Sequence, residues 1–162
     1  AAGLKFRHVP SGGGGPAQST LRISNHPLLL RCNPSTFDVV CVFDPTIWYF
    51  IDATVGVKED SVLIFNSRKK STELEKLLKE GSYPSRLTVK DYRLFSFDAT
   101  GIALEMVGRP ITNTTMLGAF CAATQLVSLE NVEEVIKASF GKQRDVNIKA
   151  AEKAYRLIKG PH

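Results

Sequence analysis

Apolar positions along this chain follow two rhythms. Three short stretches are apolar at successive positions: Val39-Val40-Cys41-Val42-Phe43, Val62-Leu63-Ile64-Phe65 and Leu94-Phe95-Ser96-Phe97. Continuous runs of this length are what strands covered on both faces require. Each run closes on small polar residues, Asp44-Pro45, Asn66-Ser67 and Asp98-Ala99-Thr100, which suit loops and helix starts. Elsewhere the spacing is helical. Thr72 to Lys79 places Leu74, Leu77 and Leu78 together, with Thr72 and Glu75 spaced as a capping box and Gly81 as a stop. Thr100 to Val107 predicts a short helix. Asn113 to Val127 is apolar nearly all round, the mark of a buried helix, and its Gly118, Ala119, Ala122 and Ala123 permit close approach. Leu129 to Phe140 is amphipathic behind Ser128, and Asp145 to Lys159 turns Ile148, Ala151, Ala154, Tyr155 and Ile158 inward.

The first part of the chain reads differently. Leu4, Phe6 and Val9 fit a short strand, and Gly12 to Gly15 form a loop in which no regular element is expected. Ala17 to Ser24 predicts a strand with Ser19, Leu21 and Ile23 on one face. Asn25-His26-Pro27 then predicts a turn into a return strand at Leu28 to Leu30. Strand–helix alternation after Phe37 gives the fold class: α/β, a mostly parallel sheet flanked by helices, with a hairpin-like N-terminal part and two C-terminal helices. A single domain over residues 1–162 is the expectation from length.

Composition narrows the function classes. With 43% hydrophobic and 23% charged residues the chain is globular, not disordered. No apolar run approaches the roughly 18 residues of a membrane helix. Cys32, Cys41 and Cys121 are widely spaced and form neither a disulfide framework nor a metal motif, so a cytoplasmic setting is expected, with no metal site and no membrane partner. The net charge of +5 is mild, and the bases are scattered except at Arg68-Lys69-Lys70, unlike the dense stripe of a nucleic-acid binder.

Candidate chemistry is sparse. The strand ends offer Asp44, Asn66, Ser67, Asp98 and Thr100, where ligands of open α/β sheets gather, although the same residues are ordinary loop and cap vocabulary. The Gly12–Gly15 loop matches neither common phosphate-binding spacing. Thr112-Asn113-Thr114-Thr115 opens the buried helix; Thr112 or Asn113 can cap it, and its free N–H groups and dipole favour an anion. At Met116 and Gly118, just inside, a ligand or a partner backbone could approach. His8, His26 and His162 suggest no triad, Cys41 and Cys121 read as buried inert thiols, and Trp48-Tyr49-Phe50 reads as core or interface. No catalytic residue is expected.

Several segments coincide with one pattern. They are Gly14-Gly15-Pro16 followed by Ser19 to Ser24; Pro34 to Val40 leading to Asp44-Pro45-Thr46; Phe97-Asp98-Ala99-Thr100-Gly101-Ile102-Ala103; Asn113-Thr114-Thr115-Met116-Leu117-Gly118-Ala119; and Ala150 to Ile158. In this order they resemble the gamma subunit or domain of the 2-oxoacid:ferredoxin oxidoreductases. The resemblance covers essentially the whole chain but lacks the family's opening strand, Gly-rich turn and helix, and the charged residues usual before Gly14. It implies a docking subunit of an enzyme that oxidatively decarboxylates a 2-oxoacid to an acyl-CoA. Thiamine diphosphate, Mg and 4Fe-4S clusters would then reside in alpha, beta and delta partners, with ferredoxin taking the electrons. It further implies that Gly14, Gly15 and Pro16, with Asn113, Thr114 and Met116, contact coenzyme A or a partner subunit. Two other readings stay open: a stand-alone nucleotide-binding module, and a purely structural subunit.

Overall fold

The computed structural model describes residues 3–9, 17–28, 34–81 and 84–160. The chain divides into two compact units, Ala1–Ser35 and Thr36–His162.

In the first unit, β1 (Gly3–Val9) and β2 (Gln18–Ser24) pair antiparallel, from Gly3 opposite Ser24 to Val9 opposite Gln18. β2 thus pairs with the strand before the glycine loop. Leu28 is in no strand, and residues 29 and 30 lie outside the described residues. The turn after β2 is made locally: the Ser24 hydroxyl accepts the backbone N–H of His26 at 3.0 Å.

In the second unit the three apolar runs lie side by side. β3 (Phe37–Val42), β4 (Val57–Asn66) and β5 (Tyr92–Phe97) form a parallel sheet in sequence order, with β4 in the middle. β4 is buried continuously from Ser61 to Asn66, as a central parallel strand must be. Its alternate residues serve opposite layers. Leu63 and Phe65 pack with Val42, Trp48, Leu74 and Leu78, so α1 (Ser71–Glu80) and the 3-10 turn Ile47–Tyr49 cover one face. Val62 and Ile64 pack with Ile102, Met116, Ala119 and Ala154, so α2 (Ala99–Val107), α3 (Asn113–Thr124) and α5 (Arg144–Lys159) cover the other. α4 (Leu129–Ser139) forms a further layer, seating Val132 and Ile136 against Cys121 and Ala151.

Two helix ends differ from expectation. α1 begins at Ser71 behind Lys70, so Thr72 lies inside the helix and no capping box forms. Glu75 instead accepts the Lys79 ammonium at 2.8 Å and the Tyr92 hydroxyl at 2.5 Å, tying α1 to β5. Those two bonds hold the Glu75 carboxyl below its ordinary range. α3 stops at Thr124, short of Val127. Gln125 adopts a left-handed conformation, φ 55°, and sends its N–H back to the Cys121 carbonyl at 3.0 Å.

α3 and α5 run parallel in close contact. Thr114 meets Asn147 near their starts, and four residues further on in each, Gly118 meets Ala151. A Cβ on Gly118 would stand 2.0 Å from the Ala151 carbonyl oxygen, so only glycine permits the crossing. The close approach expected at Gly118 is thus filled by this chain's own helix.

Gly118→Ala should destabilise the chain by about 2 kcal/mol or more, since forced separation of packed helices outweighs alanine's better helix propensity. Urea unfolding followed by far-ultraviolet circular dichroism should show a lower midpoint at unchanged slope.

Candidate functional site

Parallel strands bring their carboxyl ends to one edge of the sheet, and the chain spends the polar residues there on holding that edge together. Asn66, 1% exposed, closes β4. Its amide donates to the Phe43 carbonyl at 2.7 Å and to the Thr100 hydroxyl at 2.8 Å, and its oxygen accepts the Thr100 N–H at 3.2 Å. One buried side chain therefore ties the end of β3 to the first turn of α2. Asp98 caps α2 by accepting the Gly101 N–H at 2.7 Å, and its other oxygen lies 3.1 Å from the Arg68 guanidinium. Asp44 accepts the Thr46 N–H and hydroxyl at 2.8 and 2.7 Å, and Ser67 accepts the Lys69 N–H at 3.2 Å. Asp44, Asn66, Ser67, Asp98 and Thr100 are thus caps, turns and ties.

α3 delivers its N-terminus to this same edge. Its last turn is fixed at the opposite edge, where Arg93 near the start of β5 donates to the Ala123 carbonyl at 3.0 Å, so the helix runs against the strands. The start of α3 has no side-chain cap: neither Thr112 nor Asn113 closes it, and the Thr112 carbonyl receives the first helical bond, from Met116.

The structure places the sequence-predicted residues of this turn differently from one another. Asn113 is exposed. Thr114 is 3% exposed and donates its hydroxyl to the Asn147 amide oxygen at 2.9 Å. Met116 is 1% exposed within the core between sheet and helices. Thr115 is fully buried, and its hydroxyl has no hydrogen-bond partner among the described residues. Gly14, Gly15 and Pro16 lie outside the described residues.

Because α3 and α5 are parallel, the N-terminus of α5 opens beside that of α3. Asn147, 3% exposed, joins them: it accepts from Thr114 and donates to the Gln143 carbonyl at 2.8 Å. Sequence reasoning missed Asn147, although it stands one turn before Ala151 on the inward face of α5, where a polar residue signals a buried tie. The exposed Lys142 and Arg144, with Gly141 and Asp145, line a shallow depression at the start of α5, and Arg144 lies 3.5 Å from the Asp145 carboxylate. Two helix N-termini with added cations make an edge suited to an anionic group.

Other candidate chemistry is absorbed by packing. Trp48 is fully buried with Tyr49 stacked on it at 4.1 Å, whereas Phe50 is exposed. Burial pushes the Cys41 thiol up to about 12 and also raises that of Cys121. Among the described residues no group of three or more His, Cys, Asp or Glu could hold a metal ion, and no helix is long and apolar enough to cross a membrane.

Residues 5–157 match the family model described as pyruvate ferredoxin/flavodoxin oxidoreductase. The chain is 42% identical over 144 residues to the pyruvate/ketoisovalerate oxidoreductases common subunit gamma of Thermococcus kodakarensis, covering 88% of this chain and 72% of that one. It is 37% identical to the pyruvate synthase subunit PorC of Methanothermobacter marburgensis, over 90% of this chain and 74% of that one. Among solved structures, the pyruvate oxidoreductase subunit PORC of Thermotoga maritima is similar at a TM-score of 0.70 and 29% identity, covering 94% of this chain and 79% of that one. The fold also recurs in the 2-oxoglutarate:ferredoxin oxidoreductase of Magnetococcus marinus, solved with 2-oxoglutarate, coenzyme A and succinyl-CoA bound. There the TM-score is 0.65 at 19% identity, over 99% of this chain and 27% of that one.

Asn66→Ala should cost about 2–3 kcal/mol, because it removes the buried amide's bonds to the Phe43 carbonyl and to Thr100 together; thermal or urea unfolding measures it. Iodoacetamide at pH 8 should leave Cys41 unmodified in the folded chain, since a thiol titrating near 12 is about one part in ten thousand thiolate there. Mass-spectrometric mapping reads this out, with urea-unfolded chain as the reactive control.

Proposed function

The chain belongs to the pyruvate ferredoxin/flavodoxin oxidoreductase family as a gamma-type subunit, and on that footing we propose that it works inside a cytoplasmic complex as the part that docks subunits and steadies coenzyme A. The complex takes a 2-oxoacid and coenzyme A to carbon dioxide and an acyl-CoA, and the electron pair released passes to oxidised ferredoxin. Bound thiamine diphosphate with Mg supplies the decarboxylation chemistry and iron–sulfur clusters carry the electrons, both in alpha, beta and delta partners. The isolated gamma chain is inactive on this reading.

Within that division of labour this chain binds and orients. The observation that carries the proposal is the uncapped start of α3, with exposed Asn113, opening beside the start of α5 with Lys142 and Arg144. Coenzyme A has phosphates and a long neutral arm, and its anionic end matches free N–H groups at a positive helix terminus. Asn113 is the residue free to touch it. Thr114 acts behind Asn113 as a positioning residue, holding the turn through Asn147. Met116 contributes from within the core, by fixing α3 on the sheet. Gly14, Gly15 and Pro16 remain proposed contacts on the family resemblance.

The packing also favours a second reading, pure scaffolding. Every strand-end polar residue is occupied internally, and Thr114 is satisfied by Asn147.

Asn113→Asp in the assembled complex separates the two. A carboxylate at the helix start repels an anionic ligand, so the KM for coenzyme A should rise about tenfold with kcat and the 2-oxoacid KM unchanged. Unchanged coenzyme A kinetics in both Asn113→Asp and Asn113→Ala complexes would favour scaffolding alone.

A further inference from the structure

The crossing of α3 and α5 at Gly118 and Ala151 fixes how near the two helices stand. It does not fix where along each other they stop. The buried residues beside the crossing are small, Ala119 and Ala122 on α3 and Ala150 and Ala154 on α5. Helices resist sliding and rotation by seating the ridges of one in the grooves of the other, and alanine ridges are shallow.

A directional bond one turn nearer the helix starts supplies that resistance. Thr114 and Asn147 are each 3% exposed, and the Thr114 hydroxyl donates to the Asn147 amide oxygen at 2.9 Å. The amide is oriented from its own helix: its NH2 group donates to the Gln143 carbonyl, four residues back, at 2.8 Å. A backbone carbonyl only accepts, so the NH2 end of Asn147 must face Gln143 and the oxygen must face α3. Thr114 is thereby obliged to donate, which fixes its hydroxyl as well. Burying such a pair between helices carries a desolvation cost that an apolar pair of similar size avoids, so its contribution here is direction. Next to Thr114 stands the exposed Asn113, the first residue of α3.

From this geometry we infer that Asn147 is a positioning residue for coenzyme A. It pins the register of α3 against α5 through Thr114, and so sets where the Asn113 side chain and the first-turn N–H groups of α3 stand. Gly118 governs the closeness of the two helices and Asn147 their alignment. The inference rests on the reading that the start of α3 meets coenzyme A.

The test is kinetic and uses the assembled complex, with wild-type gamma chain, Asn147→Ala, Thr114→Val, Thr114→Ser and the Thr114→Val/Asn147→Ala double variant. Thr114→Val keeps the branched shape and removes the donor, whereas Thr114→Ser keeps the donor. Leu78→Val, fully buried on the other face of the sheet, controls for lost stability alone. Asn147→Ala and Thr114→Val should each raise the KM for coenzyme A about fivefold, with kcat and the 2-oxoacid KM unchanged. Since both break one link, the double variant should be no worse than Asn147→Ala. Thr114→Ser should restore the wild-type KM, and Leu78→Val should never depart from it. In the wild-type complex, saturating coenzyme A should slow hydrogen exchange over residues 113–117 and 144–148 together; this measurement needs no variant.

An unchanged coenzyme A KM in Thr114→Val and Asn147→Ala, where Asn113→Asp raises it, overturns the positioning role and leaves the coenzyme A reading standing. If no variant of Asn113, Thr114 or Asn147 moves that KM, both fall. A rise that Leu78→Val reproduces, that Thr114→Ser fails to reverse, or that multiplies in the double variant also overturns the inference. So does slowed exchange confined to residues 113–117. Where Asn147→Ala does not assemble, the contrast between Thr114→Val and Thr114→Ser decides together with the exchange measurement.

Discussion

Backbone contact between α3 and α5 is the constraint on which the second unit depends. Most helices pack through side chains, at axis separations that leave room for ridges and grooves. Here the Ala151 carbonyl occupies the place where a Cβ of residue 118 would stand, so the helices meet with nothing between them. The approach is possible because the faces around it are small: Ala119, Ala122 and Ala123 on α3, and Ala150, Ala151 and Ala154 on α5, all buried. It also forces the order of layers. With α5 so close, α3 can be sealed on one side by the sheet and on the other by α4, which accounts for a helix apolar nearly all round.

A second constraint acts at the sheet's carboxyl edge. Asn66 is a polar side chain at the end of an apolar strand run, and burying it is tolerable only because its amide is matched on both sides. The edge is therefore rigid and internally satisfied, so its strand-end residues have little left to offer a ligand. The free hydrogen-bonding capacity of this edge lies instead on the helices that arrive there, α3 and α5. This shifts the expected centre of binding from strand ends to helix starts.

The three sheet strands were legible because continuous apolar runs closed by Asp-Pro, Asn-Ser and Asp-Ala have few alternatives to buried parallel strands. The helix stop at Gly81 was legible for a similar reason, since that residue takes the left-handed conformation that glycine favours. The pairing of β1 with β2 was not, because the partner lies across a glycine loop, beyond the reach of local spacing. The capping box at Thr72 failed because Glu75 found stronger partners in Lys79 and Tyr92, a tertiary contact invisible to local spacing. Gln125 ended α3 early in a conformation that sequence assigns to glycine or asparagine. At the candidate site, Asn113 and Thr114 were legible as a helix opening. Their different roles depend on Asn147, more than thirty residues away.

One consequence of the Gly118 crossing reaches beyond packing. A residue with no side chain, able neither to donate a proton nor to touch a substrate, governs where Asn113 stands, because α3 and α5 share a pivot at that point. If Asn113 contacts coenzyme A as proposed, inherited change at position 118 would be felt as a defect in cosubstrate handling while every side chain at the helix starts remained in place. In this chain vulnerability and chemistry sit at different addresses, and ranking positions by the reactivity of their side chains would overlook the more fragile one.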